Sequence, residues 1–99
     1  MKTVFVIEPE DNVGTAVLED HIQRGDKVGT TGRLSSITVT ATAAIPYGHK
    51  IALRPIKKGE RIVKYGLTIG TATQDIQPGD HVHTHNIESS PGYSDLAAV

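Results

Sequence analysis

A short turn motif recurs four times along the chain and constrains the fold more than any other feature. Each copy has an isoleucine, a glycine three residues later, two polar residues and then valine or isoleucine; the copies are residues 22–28, 45–51, 56–62 and 76–82. Glycine adopts the positive φ that a tight turn into a strand often needs. The copies start 11 to 23 residues apart, which is too irregular for a solenoid. They predict four equivalent corners in one compact domain of short strands.

Local patterns place the other elements around these corners. Alternating and β-branched residues predict strands at 2–7, 36–44, 49–53, 61–64, 68–72 and 81–87, and residues 29–33 a loop or hairpin tip. One short helix is expected at 13–20, because Asp11 and Asn12 can cap it and Val13, Ala16 and Val17 would share a face. The predicted domain covers residues 1–87, followed by a flexible tail at 88–99.

Composition and charge exclude several classes of function. Ninety-nine residues indicate one domain, and a net charge of −1 with one Phe, three Tyr and no Trp argues against nucleic-acid binding. The chain has no cysteine, so it offers no disulfide framework and no thiolate chemistry. The apolar run at 4–7 is too short for a signal peptide or a membrane span. We therefore expect a soluble, cytoplasmic protein with no membrane contact. Its exposed sheet edges favour a homo-oligomer or docking on another subunit.

Three of the five histidines lie within five residues, at His81, His83 and His85, and Asn86 follows directly. On a β-strand this period-two spacing would place the three imidazoles on one side. Imidazole is the commonest protein metal ligand and also moves protons near neutral pH. A histidine-rich strand facing solvent would explain the same pattern without any function.

Several blocks of the chain together resemble the SAF domain of the altronate and galactarate dehydratase family. They are residues 45–53, 56–60, 63–66, 69–72 and 79–86, with Gly-His-Lys, Lys-Tyr-Gly and His-Thr-His-Asn sequences, preceded by Asp11-Asn12-Val13. The resemblance covers residues 8–87. It implies a mainly β fold of the β-clip type, and sugar-acid lyase activity that depends on a divalent metal, usually iron(II). It also implies a much larger catalytic domain, fused or encoded separately. A chain ending at Val99 is expected to be the small subunit, inactive without its large partner.

The resemblance, together with the chemistry of dehydration, suggests which residues form the site. A proton must leave the carbon next to the substrate carboxylate while the β-hydroxyl departs, which needs acid–base groups and favours a metal. His83 and His85 are the predicted catalytic groups and metal ligands, and Asn86 would orient a substrate hydroxyl. His49 and Lys50 are predicted to bind the carboxylate.

One tyrosine and two further histidines have expected roles of their own. The Tyr65 hydroxyl is predicted to contact substrate, with packing as the alternative. His81 takes the position that Lys27, Lys50 and Arg61 hold in the other repeats, so it is predicted to be a solvated polar group. His21 is expected to be structural, at the end of the predicted helix.

Four functions remain open at the level of sequence. The leading hypothesis is the small subunit of an altronate-type sugar-acid dehydratase, with part of a composite site completed by a large subunit. The alternative within the family is the small (alpha) subunit of a (2R)-sulfolactate sulfo-lyase. A β-clip module that binds a sugar acid without catalysis, and a purely structural assembly domain, belong to different classes.

Overall fold

The computed structural model describes residues 2–17, 21–33 and 35–89 and shows a mainly β protein, as predicted. Its strands are β1 (Lys2–Val6), β2 (Val13–Thr15), β3 (Lys27–Gly32), β4 (Thr38–Thr40), β5 (Lys50–Ala52), β6 (Arg61–Lys64), β7 (Leu67–Ala72), β8 (His81–Val82) and β9 (Ile87–Ser89). Within these ranges no helix suited in length and hydropathy to crossing a bilayer is present.

The strands form two sheets. The larger has the order β4-β3-β1-β2-β5-β8, and the smaller has the order β6-β7-β9. The β1–β3 pair is parallel, and all the other pairs of strands are antiparallel. β5 and β8 therefore lie side by side at one edge of the larger sheet, where the histidines gather.

The predicted helix at 13–20 is wrong. Residues 13–15 form β2, which pairs with β1 on one side and β5 on the other, and all three are buried. Hydrogen bonds across the sheet on both sides outweigh a weak local helical pattern. Residues 18–20, the last part of the predicted helix, lie outside the described residues.

Two other local predictions also fail. Residues 29–32 are not a hairpin tip but part of β3, which pairs along its length with β1. The single strand predicted at 81–87 is divided: β8 ends at Val82, residues 83–86 turn, and β9 begins at Ile87. β9 also includes Glu88 and Ser89, which the sequence assigns to the tail; residues 90–99 lie outside the described residues, so the flexible tail and its boundary stay predictions.

The four corners predicted from the turn motif are present. Gly25, Gly48, Gly59 and Gly79 have φ values from 83° to 93°. At each corner the amide after the glycine donates to the carbonyl three residues earlier, which closes a β-turn. The isoleucines that open the copies pair in antiparallel bridges, Ile22 with Ile45 and Ile56 with Ile76. The corners thus form two pairs.

Each pair of corners has its own hydrophobic core. The first core contains Val4, Val6, Ala16, Ile22, Val28, Val39, Ala41, Ile45, Ile51 and Leu53. The second contains Val13, Ala52, Ile56, Ile62, Ile69, Ala72, Ile76, Val82 and Ile87. β5 joins them, because Ile51 packs in the first core and Ala52 in the second. The strand that follows His49 is therefore held from both faces.

Candidate functional site

The histidine cluster is built by the pairing of β5 with β8. Lys50 lies opposite Val82, and Ile51 opposite His81. One more step in the same antiparallel register sets His49 against His83. The rings of those two residues stack with centroids 4.0 Å apart. Residues 32 to 34 positions apart in sequence thus meet at the end of the sheet.

The imidazoles of His49, His81 and His83 form a compact triad. Nδ1 of His49 lies 2.9 Å from Nε2 of His81, and one nitrogen from each of the three residues lies within 4.8 Å of the others. The ring of His85 contacts only the edge of this group, with its centroid 5.2 Å from that of His81. The triad, rather than the pair of His83 and His85, is the set whose nitrogens converge.

The donor set fits a divalent metal ion. Nδ1 of His83 is buried and has no hydrogen-bond partner among the described residues, so a ligand there would satisfy it. Two nitrogens bonded to one ion at about 2.1 Å and a right angle lie about 3.0 Å apart, close to the separation found between His49 and His81. Three histidines also leave positions for substrate or water, which is typical of catalytic sites.

His49 is available to the triad because its turn differs from the other three. Asp26, Glu60 and Asp80 follow the glycines of their turns, and each accepts a hydrogen bond from the backbone N–H three residues before it, at 2.8 to 2.9 Å. In the second turn that position is Pro46, which has no N–H. A carboxylate would have no donor there, and His49 instead contacts His81.

Asn86 holds the segment between β8 and β9 in place. Its side-chain Oδ1 accepts from the backbone N–H of His83 at 2.9 Å, and its Nδ2 donates to the carbonyl of His81 at 2.8 Å. Asn86 is only 4% exposed. The amide therefore fixes the backbone on which two of the triad histidines lie; its predicted contact with a substrate hydroxyl stays a prediction.

Burial and neighbouring charges keep two of the triad histidines, His81 and His83, neutral. Burial, followed by the nearby His49, lowers the pKa of His81 to about 4. The pKa of His83 is also lowered, first by burial and then by His49 and Lys50. At neutral pH both imidazoles are therefore unprotonated, which is the form that binds metal ions.

Lys50 places a buried positive charge beside the triad. It is 4% exposed, and no carboxylate among the described residues forms an ion pair with it. Burial, and then repulsion from Lys64, lowers the pKa of Lys50 to about 8. Directly across the strand pair lies Thr15, whose buried Oγ1 also has no partner in the described part of the chain. The Thr15 hydroxyl and the Lys50 ammonium lie on neighbouring strands, and both can donate hydrogen bonds to an anionic oxygen.

Tyr65 lies at the tip of the β6–β7 hairpin. It is 41% exposed and has a φ of 57°, and Nζ of Lys64 lies 4.7 Å from its ring centroid. Buried Asp11 accepts hydrogen bonds from the backbone N–H groups of Tyr65 and Gly66, which fixes the tip. Tyr65 is thus presented to solvent rather than packed in a core, and its predicted contact with substrate stays a prediction.

The structure revises the interpretation of His81. It is partly buried, bonded to His49 and stacked against His83, so the prediction of a solvated polar group is wrong. The repeat predicted a basic residue at a strand start, but it did not show that this strand would pair with β5. His21 is exposed, and its carbonyl accepts from Lys2 at 2.6 Å; the helix expected to precede it is not present among the described residues.

Comparison with known proteins agrees with the family resemblance seen in the sequence. A profile of the altronate/galactarate dehydratase SAF domain matches residues 2–90. The chain belongs to that family. An altronate dehydratase of Bacillus subtilis (strain 168) is 40% identical over 90 residues, which are 91% of this chain and 17% of that protein. The altronate dehydratase of Escherichia coli (strain K12) is 37% identical over 98 residues, 89% of this chain and 19% of that protein.

A second kind of relative is close to this chain in size. The (2R)-sulfolactate sulfo-lyase subunit alpha of Chromohalobacter salexigens is 31% identical over 93 residues, 90% of this chain and 97% of that subunit. The chain therefore spans less than a fifth of the altronate dehydratases it matches, and nearly all of this alpha subunit. The family thus carries the same domain in long chains and in a separate subunit.

Proposed function

We propose that this SAF-family chain is the small component of an altronate-type sugar-acid dehydratase, with a β-clip topology and a site completed by a large catalytic partner. The observation that carries the proposal is the triad of His49, His81 and His83 beside the unpaired Lys50. The long altronate dehydratase relatives support a large partner, since most of their length has no counterpart here. A cytoplasmic location and a homo-oligomeric state remain further predictions.

The triad would hold the family's divalent metal, which we propose is iron(II). When bound, such an ion polarises the substrate carboxylate and stabilises the negative charge that develops beside it. Neutral imidazoles and an open coordination position suit that task. His85, exposed at the rim of the triad, is free to exchange a proton with the departing hydroxyl group.

Lys50 would receive the substrate carboxylate. Most of its side chain is buried, and no carboxylate among the described residues forms an ion pair with it, so its ammonium is open to an anion. Thr15 can donate a hydrogen bond from its hydroxyl to the same anion. The chemistry is an elimination: a base takes the α-proton, an acid such as His85 protonates the β-hydroxyl so that it departs as water, and the enol product tautomerises to a keto acid.

Sulfite elimination from sulfolactate is the second candidate. It is favoured by one observation, the alignment over 97% of the Chromohalobacter alpha subunit. The two reactions share the removal of a proton next to a carboxylate and differ in the leaving group. The triad and Lys50 would serve either one.

Reconstitution with a large dehydratase partner tests the proposal. Replacing His49, His81 or His83 by alanine should lower the rate of keto-acid formation at least about 100-fold, while the matched change His21→Ala should leave it unaltered. His85→Ala measures whether this histidine takes part in catalysis. The pure 99-residue chain should not turn over altronate alone. Full activity in all three triad variants would refute the proposal.

A further inference from the structure

An open cleft of about 280 Å³ lies next to the triad. It is close in size to the smallest pockets that bind small molecules. His81 belongs to both features, since it bonds to His49 and also lines the cleft. The other lining residues are Thr42, Ala43, Gln74, Asp75, Asp80, His85 and Asn86. A molecule bound at the triad can therefore extend into this neighbouring space.

The charged groups that line the cleft are acidic. Its described lining has two carboxylates, Asp75 and Asp80, and no lysine or arginine. Lys50 is not among these lining residues; it follows His49 and lies opposite Val82 in the β5–β8 pair. The positive charge of Lys50 therefore lies outside the lining of the cleft.

The polar groups in the cleft differ in how many of their hydrogen-bonding atoms already have a partner. Asp80 uses one carboxylate oxygen on the Gln77 amide and the other on the Thr42 hydroxyl. Asp75 uses a single oxygen, on the backbone N–H of Lys58 at 2.9 Å. Its second oxygen and the side chain of exposed Gln74 make no hydrogen bond within the described residues. These groups can accept hydrogen bonds from hydroxyls but offer no cation to a second anionic group.

We propose that this cleft binds the uncharged, hydroxylated end of a sugar acid and selects against acids that carry a second anionic group at that end. The inference rests on the proposed function, because it takes the carboxylate to lie at Lys50. Altronate has one carboxylate and a chain of hydroxyls, which can donate hydrogen bonds to Asp75 and Gln74. Galactarate has a second carboxylate at the far end of its chain, which would be repelled by Asp75 and Asp80. The cleft therefore favours altronate over galactarate.

Substrate preference in the reconstituted complex tests this inference. We compare kcat/KM for altronate and galactarate in the wild-type complex and with Asp75→Asn, which keeps an acceptor for Lys58 while removing the charge. Altronate should be preferred, and Asp75→Asn should raise the value for galactarate relative to altronate about fivefold, as expected for one exposed charge pair at about 4 Å. Asp26→Asn, the matched loss of a turn carboxylate outside the cleft, should leave the ratios unchanged.

A binding measurement separates failure of this inference from failure of the proposed function. In amide NMR spectra of the 99-residue chain, altronate at millimolar concentration should shift the signals of Thr42, Gln74 and Asp75, whereas galactarate at the same concentration should shift them less. Such shifts with an inactive complex would refute the proposed function and support the cleft. An active complex whose ratio does not respond to Asp75→Asn, or a wild-type preference for galactarate over altronate, would overturn the cleft inference alone.

Discussion

Two turns with the same backbone meet at the histidine triad and serve different purposes. In the turn at 77–80 the carboxylate of Asp80 bonds to Gln77 and Thr42, so its hydrogen bonds stay within the chain. In the turn at 46–49 the proline removes the donor, and His49 points to another strand. Lys50, the next residue, is buried without a counter-ion. One turn stabilises the fold, and the other leaves groups available to a ligand.

The largest expected difference between the turns is in stability. Asp80→Ala removes two hydrogen bonds to a charged acceptor and should lower the free energy of unfolding by about 2 kcal/mol. His49→Ala should change it by no more than about 1 kcal/mol, because the ring stacks at the rim and makes one side-chain hydrogen bond. Chemical denaturation of both variants, without added metal, measures the two values. Equal losses would mean that the turns do not differ in this way.

A smaller effect, of opposite sign, is expected at Lys50. Lys50→Met keeps much of the side-chain volume and removes the charge of a largely buried side chain that has no ion-pair partner among the described residues, so stability should rise by about 1 kcal/mol. In the reconstituted complex the same change should raise KM for the sugar acid more than it lowers kcat, since it removes binding of the carboxylate. A destabilised variant with an unchanged KM would contradict the role given to Lys50.

The smallest change in stability should come from converting the turn at 46–49 into the kind found at the other three corners. The double variant Pro46→Gln/His49→Asp restores the N–H and carboxylate pair of the other turns. The gained hydrogen bond is offset by the greater freedom of the unfolded chain without proline, so stability should stay within about 0.5 kcal/mol of wild type. Metal binding should nevertheless be lost. His49→Asp alone serves as the control, since its carboxylate faces Pro46 without a donor, and it should be less stable than the double variant.

Local chemistry is what made parts of the fold predictable. Gly25, Gly48, Gly59 and Gly79 indicate their turns directly, because the positive φ is a property of single residues. The failures come from contacts distant in sequence. Val13–Thr15 carries a weak helical pattern, yet β1 and β5 enclose it on both sides.

The candidate site also depends on contacts between residues that are distant in sequence. The His81-Val82-His83 spacing indicated where to look, but the predicted pair of His83 and His85 depended on a strand that ends at Val82. His49 joins the triad only through the register of β5 with β8, which no local pattern reveals. One sequence clue did exist: among the four turns, the second alone combines proline at its first position with histidine in place of an acid.

Metal binding by the 99-residue chain tests the central claim most directly. Titration with a divalent ion under anaerobic conditions, followed by calorimetry, should give one ion per chain. His81→Ala should weaken the affinity at least about tenfold, and His85→Ala should change it by less than about twofold, since the His85 ring lies outside the set of converging nitrogens. If His81→Ala binds the ion as well as wild type does, or if His85→Ala abolishes binding, then His49, His81 and His83 do not form the metal site.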